Sequence, residues 1–306
     1  MLFLLSSSYV NAEVKTFIKE YTYQASEFDS KAKCRTLALE QVKRLLLEEL
    51  GTYLESETEV KNFQLTKDQI TSLTAGVVQT QVLLEKWDGD KYWLKASMKA
   101  DPDEVAKNIN NLSKDRRLRK DLENSRKIAA VALAEVKNIK QEIQKVKSDE
   151  QLKRYNDAIQ RLNATDLYER GIRYLNIKKY NEAAEAFTDA IKVNPNYYEA
   201  YVLRGINYGN KGNHDLAIKD FVKAITINPH DPDAYLGRGL AYVYTYKYDL
   251  AIMDFSKVIE IDPDYYDGYR YRGDIYFYKK DYDRAIDDFS KAVEINPAAI
   301  MAVYNF

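Results

Sequence analysis

Residues 269–297 read YRYRGDIYFYKKDYDRAIDDFSKAVEINP, and nearly the same line stands three more times upstream. Gly171, Gly205, Gly239 and Gly273 recur every 34 residues, and Pro195, Pro229, Pro263 and Pro297 follow them, each 24 residues after its glycine. A fixed period of this length marks a stacked array of supersecondary units, none of which buries its apolar face alone.

Each unit reads as two antiparallel helices. The first has Leu167, Gly171 and Tyr174, then Ala183, Phe187, Ala190 and Pro195. The second repeats this as Tyr201, Gly205, Tyr208, Ala217, Phe221, Ala224 and Pro229, and the third as Tyr235, Gly239, Tyr242, Ala251, Phe255, Val258 and Pro263. The fourth has Tyr269, Gly273, Tyr276, Ala285, Phe289, Ala292 and Pro297. Small residues let the paired helices approach, aromatic rings fill the space between units, and proline ends each second helix. Val258 replaces an alanine and is expected to widen one helix packing.

Over residues 164–297 this pattern resembles the tetratricopeptide repeat family, with units at 164–197, 198–231, 232–265 and 266–299. The resemblance implies an all-α solenoid whose first helices line a concave groove for a protein segment. Carried over by position, the groove residues are Tyr168, Ile172, Leu175 and Asn176, then Val202, Ile206 and Asn210. They continue with Leu236, Leu240, Val243 and Tyr244, then Arg270, Asp274, Phe277 and Tyr278. The family's clamp for a C-terminal carboxylate needs Lys and Asn where Tyr168 and Ile172 stand, so a chaperone-tail adaptor is not expected. An apolar lining with polar spots suits an amphipathic helix or an apolar extended peptide. Aspartate at Leu236 and Leu240 is expected to abolish partner binding and leave helicity intact.

Other features carry less. The Arg272–Gly273–Asp274 tripeptide lies inside a first helix, where Gly273 is a packing position, so an adhesion role is not expected. Basic and acidic residues nearly cancel, 46 against 47, which points to neither nucleic acid nor a membrane surface as partner. Cys34 is the single cysteine and reads as a buried small hydrophobe. His214 and His230 are the only histidines, too few and too isolated for a zinc site or a catalytic set. No cofactor and no enzymatic activity are expected, and no stretch is long and apolar enough to span a membrane.

The front of the chain reads differently. Met1–Ala12 resembles the end of a secretory signal, with Val10-Asn11-Ala12 before Glu13 as a small-residue cleavage site. Residues 13–101 read as a small α+β domain. VKTFIKEYTYQ is a strand, and SKAKCRTLALEQVKRLLLEEL is an amphipathic helix stopped by Gly51. A short helix begins at Thr66, and two strands follow, joined at Asp88-Gly89-Asp90. The line GTYLESETEVKNFQLTKDQITSLTAGVVQTQVL resembles the N-terminal domain of the flagellar assembly protein T family, which implies an exported bacterial envelope protein and no catalytic motif.

Residues 102–163 read as one long helix, capped by Asp101 and Pro102, about 90 Å long at ~1.5 Å per residue. Ala129, Ala132, Val136, Ile139, Ile143 and Val146 keep coiled-coil spacing, and the seam resumes out of phase at Leu152, Tyr155, Ile159 and Leu162. Residues 298–306 read as the start of a fifth unit or a cap. The expected fold is multidomain: a small α+β domain, a helical rod and a four-repeat solenoid. The expected function is a protein-binding scaffold, periplasmic or secreted, with a cytoplasmic adaptor as the other placement. A homo-oligomer assembled through residues 103–163 or the C-terminal end is the structural alternative.

Overall fold

The computed structural model describes residues 14–56, 65–143 and 148–297. The expected leader, at residues 1–12, and the expected fifth unit, at 298–306, lie outside them. The chain forms two compact units, Met1–Ala186 and Phe187–Phe306.

The first unit begins with a three-stranded antiparallel sheet in the order β1-β3-β2, where β1 is Lys15–Gln24, β2 Gln81–Trp87 and β3 Lys91–Ala100. On β3, Tyr92, Leu94, Ala96, Met98 and Ala100 alternate into the core, which selects one face of the sheet for helix α1 (Lys31–Ser56). The β2–β3 turn forms as expected: Asp88 Oδ1 accepts from the backbone of Asp90 and Lys91, and Gly89 takes φ +99°. Helix α2 (Lys67–Ala75) starts at Thr66 in a reciprocal capping box with Gln69.

Gly51 does not stop α1, which runs five residues past it. A Cβ there would lie 2.6 Å from Thr71 Oγ1, so the glycine is the point where α2 crosses close to α1. The expected rod is not one helix either. It is α3 (Pro102–Lys114), α4 (Arg116–Ile143) and α5 (Asp149–Asn176). Each interruption coincides with a side chain that caps the following helix. Asp115 Oδ1 accepts from Leu118 N, and Ser148 Oγ from Gln151 N.

Helices α4 and α5 fold back on each other. Ala129, Ala132, Val136 and Ile139 pack against Tyr155, Ala158, Ile159 and Leu162, joined by Leu37. The two halves of the predicted seam are therefore partners within one chain, and the phase break between them is the reversal of direction. Val146 lies outside the described residues.

Helix α5 also carries the first helix of the first repeat, and a buried charge cluster fixes it to the front domain. Glu169, with no exposed surface, accepts from Lys43 Nζ and from Ser125 Oγ at 3.0 Å, and Arg126 lies 3.3 Å away. Arg126 also pairs with Glu40 at 2.9 Å, and Lys43 with Asp166 at 3.0 Å. Burial alone would raise the Glu169 carboxyl, but Lys43 and Arg126 outweigh it and hold it below the usual carboxylate range.

The repeat helices are α6 (Tyr180–Val193), α7 (Tyr198–Asn210), α8 (His214–Ile227), α9 (Pro232–Tyr244), α10 (Tyr248–Ile261), α11 (Tyr266–Tyr278) and α12 (Tyr282–Ile295). Gly205, Gly239 and Gly273 each lie against the phenylalanine ring of their own unit, where a Cβ would come within 2.6–3.0 Å of Phe221, Phe255 or Phe289. Val258 does not simply widen its packing. A Cβ on Gly268 would meet Val258 Cγ1 at 3.0 Å, and Gly268 stands where the two preceding units have Ala200 and Ala234. The added bulk in one unit is offset by a smaller residue in the next.

One periodic device was not read from the sequence. Arg204 forms a two-pronged pair with Asp220 (2.8 and 2.7 Å), Arg238 with Asp254 (2.9 and 2.7 Å) and Arg272 with Asp288 (2.8 and 2.8 Å). Each clamp ties the first helix of a unit to its second. Arg204 and Arg272 also donate to Thr188 and Ser256 at 2.9 Å, hydroxyls on the preceding second helix. Asp254→Ala is expected to cost about 2 kcal/mol, because it strips a charged hydrogen-bond partner from a mostly buried guanidinium. Thermal unfolding followed by circular dichroism would measure it, and an unchanged transition would contradict a structural role for the clamp.

Candidate functional site

Helix spacing decides which of the fifteen expected groove residues reach solvent. In the first unit Tyr168 and Ile172 have no exposed surface, so neither lines a groove. They lie on the stretch of α5 that the Glu169 cluster draws against α1 and α4. Leu175 and Asn176, one turn later, are half-buried.

In the second unit Val202 is a core residue, clustered with Ala217, Phe221, Ala224, Ala234 and Ala241, and it too is removed from the groove. Leu236, Leu240 and Val243 are partly buried against Ala251, Phe255 and Ile275. Aspartate at Leu236 and Leu240 would therefore disrupt repeat packing, and it cannot serve as a selective test of binding. Arg270 is half-buried, pairs with Asp267 at 2.8 Å and sits 3.7 Å over the Tyr271 ring. Asn210, Tyr244, Asp274, Phe277 and Tyr278 are exposed.

Within the Arg272–Gly273–Asp274 tripeptide Gly273 is a packing position, as expected, and Arg272 is engaged too, while Asp274 is exposed. Its arginine is held by Asp288, and its glycine lies against Phe289. Cys34 is fully buried, and burial pushes its thiol up to about 11, where it stays protonated at neutral pH.

Four of the expected residues, Ile206, Asn210, Leu240 and Tyr244, meet around a cavity of about 590 Å³ between α7 and α9. Its remaining walls were not anticipated as a site: Gly205, Gly209, Gly212 and Gly237, the Phe221 ring, Ala241, Tyr271 and His214 at the start of α8. The His214 and Tyr244 rings stack with centroids 4.7 Å apart and planes 5° from parallel. No Asp, Glu, Lys or Arg lines the cavity. Its walls offer ring faces, aliphatic groups, a carboxamide, two phenols and an imidazole, a set suited to binding an uncharged group.

The sequence did hold a signal for the missing walls. At the position of Gly209 the other units have Leu175, Val243 and Phe277. At that of His214 they have Tyr180, Tyr248 and Tyr282, and at that of Gly237 they have Glu169, Leu203 and Tyr271. All three departures from the period face the cavity.

A second cleft, of about 410 Å³, lies in the first unit beside Tyr23, Leu37, Val136, Lys137 and Lys140. Two of its polar groups are engaged: Lys140 donates to Tyr23 and to the Gln24 carbonyl, and next to the cleft Asp29 accepts from Tyr155 and Ser26. Burial raises both tyrosine hydroxyls well above their ordinary range, which keeps them as hydrogen-bond donors. Among the described residues no group of three or more His, Cys, Asp or Glu side chains could hold a metal ion, and no helix is long and apolar enough to cross a membrane.

Family models described as tetratricopeptide repeat match residues 164–197, 232–265 and 266–298, and one described as TPR repeat matches residues 208–244. No curated protein sequence matches the chain. Among solved structures, one of MamA is 27% identical over 49% of this chain and 93% of its own, with a TM-score of 0.43. YrrB, described as a TPR protein with an unusual peptide-binding site, is 25% identical over 51% of this chain and 81% of its own, with a TM-score of 0.42. The first TPR of Spaghetti (RPAP3), bound to the HSP90 peptide SRMEEVD, is 26% identical over 37% of this chain and 90% of its own, with a TM-score of 0.37.

Proposed function

Because residues 164–298 make this chain a tetratricopeptide repeat protein, we propose that it is a non-catalytic scaffold that holds a segment of another protein in the bacterial cell envelope. The observation that carries the binding role is the uncharged cavity between α7 and α9, where groove positions from two successive repeats converge. Its size falls within the ~300–1,000 Å³ of small-ligand pockets, enough for a side chain or two of an extended partner.

Placement in the envelope is supported by the secretory character of residues 1–12 and by the likeness of residues 13–100 to the front domain of the flagellar assembly protein T family. Mass spectrometry of the mature N-terminus from fractionated cells tests it. A chain starting at Glu13 in the periplasmic or outer-membrane fraction is the expected result. An intact Met1 in the cytosol would overturn the placement and favour a cytoplasmic adaptor.

A self-assembling role through the rod loses its basis, since the seam is used inside the chain. Assembly through the end of the array keeps one supporting observation: Phe277, Tyr278, Tyr282 and Ile286 are more than half exposed on α11 and α12. Light scattering separates the readings. A monomer favours the scaffold, and a stable trimer or larger species favours assembly.

A further inference from the structure

The cleft of the first unit changes chemistry along its length. Helix α4 lines it with Leu133, Val136, Lys137, Lys140 and Gln141, residues three and four apart that share one helix face. Its apolar end is Leu133 and Val136 with Leu37 of α1, and all three pack in one hydrophobic cluster. One turn further along α4, ~5.4 Å on, the lining becomes Lys137 and Gln141. Tyr21 and Tyr23 of β1 and Gln41 of α1 complete it, and no Asp or Glu lines it.

The polar groups fall into two sets. Lys140 is committed: it donates to the Tyr23 hydroxyl at 3.1 Å and to the Gln24 carbonyl, and Asp29, 3.7 Å away, balances its charge. Asp29 is in turn held by the Ser26 amide and hydroxyl, at 2.8 and 2.7 Å, and by Tyr155. The second set is free. The Lys137 ammonium, the Tyr21 hydroxyl and the Gln41 and Gln141 carboxamides have no hydrogen-bond or ion-pair partner among the described residues. All four can donate, and the uncompensated charge among them is the single positive charge of Lys137.

We propose that this cleft binds a carboxylate carried on an apolar body. The body lies over Leu37, Leu133 and Val136, and the carboxylate accepts from Lys137 and its neighbouring donors. The volume of about 410 Å³ suits a small ligand. A single negative charge is the match for Lys137; a phosphate monoester, with nearly two, would keep one unbalanced. An ammonium would meet two lysines and no carboxylate on the walls. Two sources supply this chemistry, a free small acid and the C-terminal residue of a peptide. The site belongs to the first unit and does not depend on the repeat groove, so its failure would leave the scaffold reading standing.

The test is a methyl-resolved NMR titration of the full chain that follows Leu37, Leu133 and Val136. The probes are 3-phenylpropionate, its amide, 3-phenylpropylamine and N-acetyl-phenylalanine. The expected result is saturable shifts with 3-phenylpropionate, binding about three- to tenfold weaker for the amide, and no saturable shifts with the amine. N-acetyl-phenylalanine carries its carboxylate as a chain end. Tighter binding than 3-phenylpropionate assigns the site to a peptide terminus, and weaker binding assigns it to a free acid.

Lys137 is exposed and holds no other group, so Lys137→Gln should keep the wild-type tryptophan-fluorescence midpoint. That variant should bind acid and amide equally, and Lys137→Glu should abolish acid binding. Absence of saturable shifts with the acid would overturn the proposal. So would equal binding of acid and amide by the wild type, or a preference for the acid that survives Lys137→Gln.

Discussion

Glu169→Ala should destabilise the first unit by about 3–5 kcal/mol, the usual consequence of removing one partner from a buried ion network. The alanine would leave Lys43 and Arg126, both largely buried, with one carboxylate fewer, and Ser125 without its acceptor. Domains have only ~5–15 kcal/mol to lose, so this is a large share. Trp87 and Trp93, the two tryptophans of the chain, both belong to the first unit, so their fluorescence reports that unit alone. The urea midpoint should fall by about 1–2 M, taking a slope of roughly 2–3 kcal/mol per M. An unchanged midpoint would show that the cluster is not what fixes α5 to the front domain.

The same cluster sets an acid limit. Glu169 is held below its ordinary range and Asp166 down to about 2, against burial in each case and through Lys43. Carboxyls depressed in the folded chain bind fewer protons folded than unfolded. Their stabilisation is complete above the unfolded values, near ~4, and is lost as pH falls toward their folded values. The Lys43 ammonium is raised in the folded chain, so its contribution holds below about 10.5 and is lost only at higher pH. Wild-type protein should lose its tryptophan signal on acidification between roughly pH 4 and 2, and Glu169→Gln should lose part of that pH dependence.

Phe221→Ala carries the second large effect, again about 3–5 kcal/mol, now in the other unit. Phe221 is almost fully buried and fills the space that Gly205 and Gly237 leave on α7 and α9. No neighbouring side chain is placed to replace the ring, because both facing positions are glycine. Repeat arrays lose stability locally through their nearest-neighbour contacts. Amide exchange should therefore accelerate first across α7, α8 and α9, while the tryptophan fluorescence of the first unit keeps its wild-type midpoint. Uniform acceleration along the whole chain would contradict a junction held by this ring.

Much of the fold was legible because its periods are strong. The 34-residue repeat fixed eight helical segments, and alternation on Lys91–Ala100 with Asp88-Gly89-Asp90 fixed the hairpin. The rod was misread for a physical reason: heptad spacing shows that a helix has an apolar seam and says nothing of whose helix covers it. The broken phase at Leu152, with Asp115 and Ser148 placed to cap, was the sign of a chain turning back on itself. Gly51 was misread because a glycine that ends a helix and one that admits a crossing helix look alike in sequence. At the site, positions carried over from a family pattern found Ile206, Asn210, Leu240 and Tyr244 but missed Gly209, His214 and Gly237. Those three are where the chain departs from its own repeat, and a consensus reading passes over departures.

The most direct test of the scaffold is a photo-cross-linking amino acid placed at Tyr244, on the rim of the cavity, in cells of the organism that makes the protein. The expected result is a discrete adduct with one other protein. Adducts only with further copies of this chain, or none, would contradict the proposal that these repeats hold a protein partner.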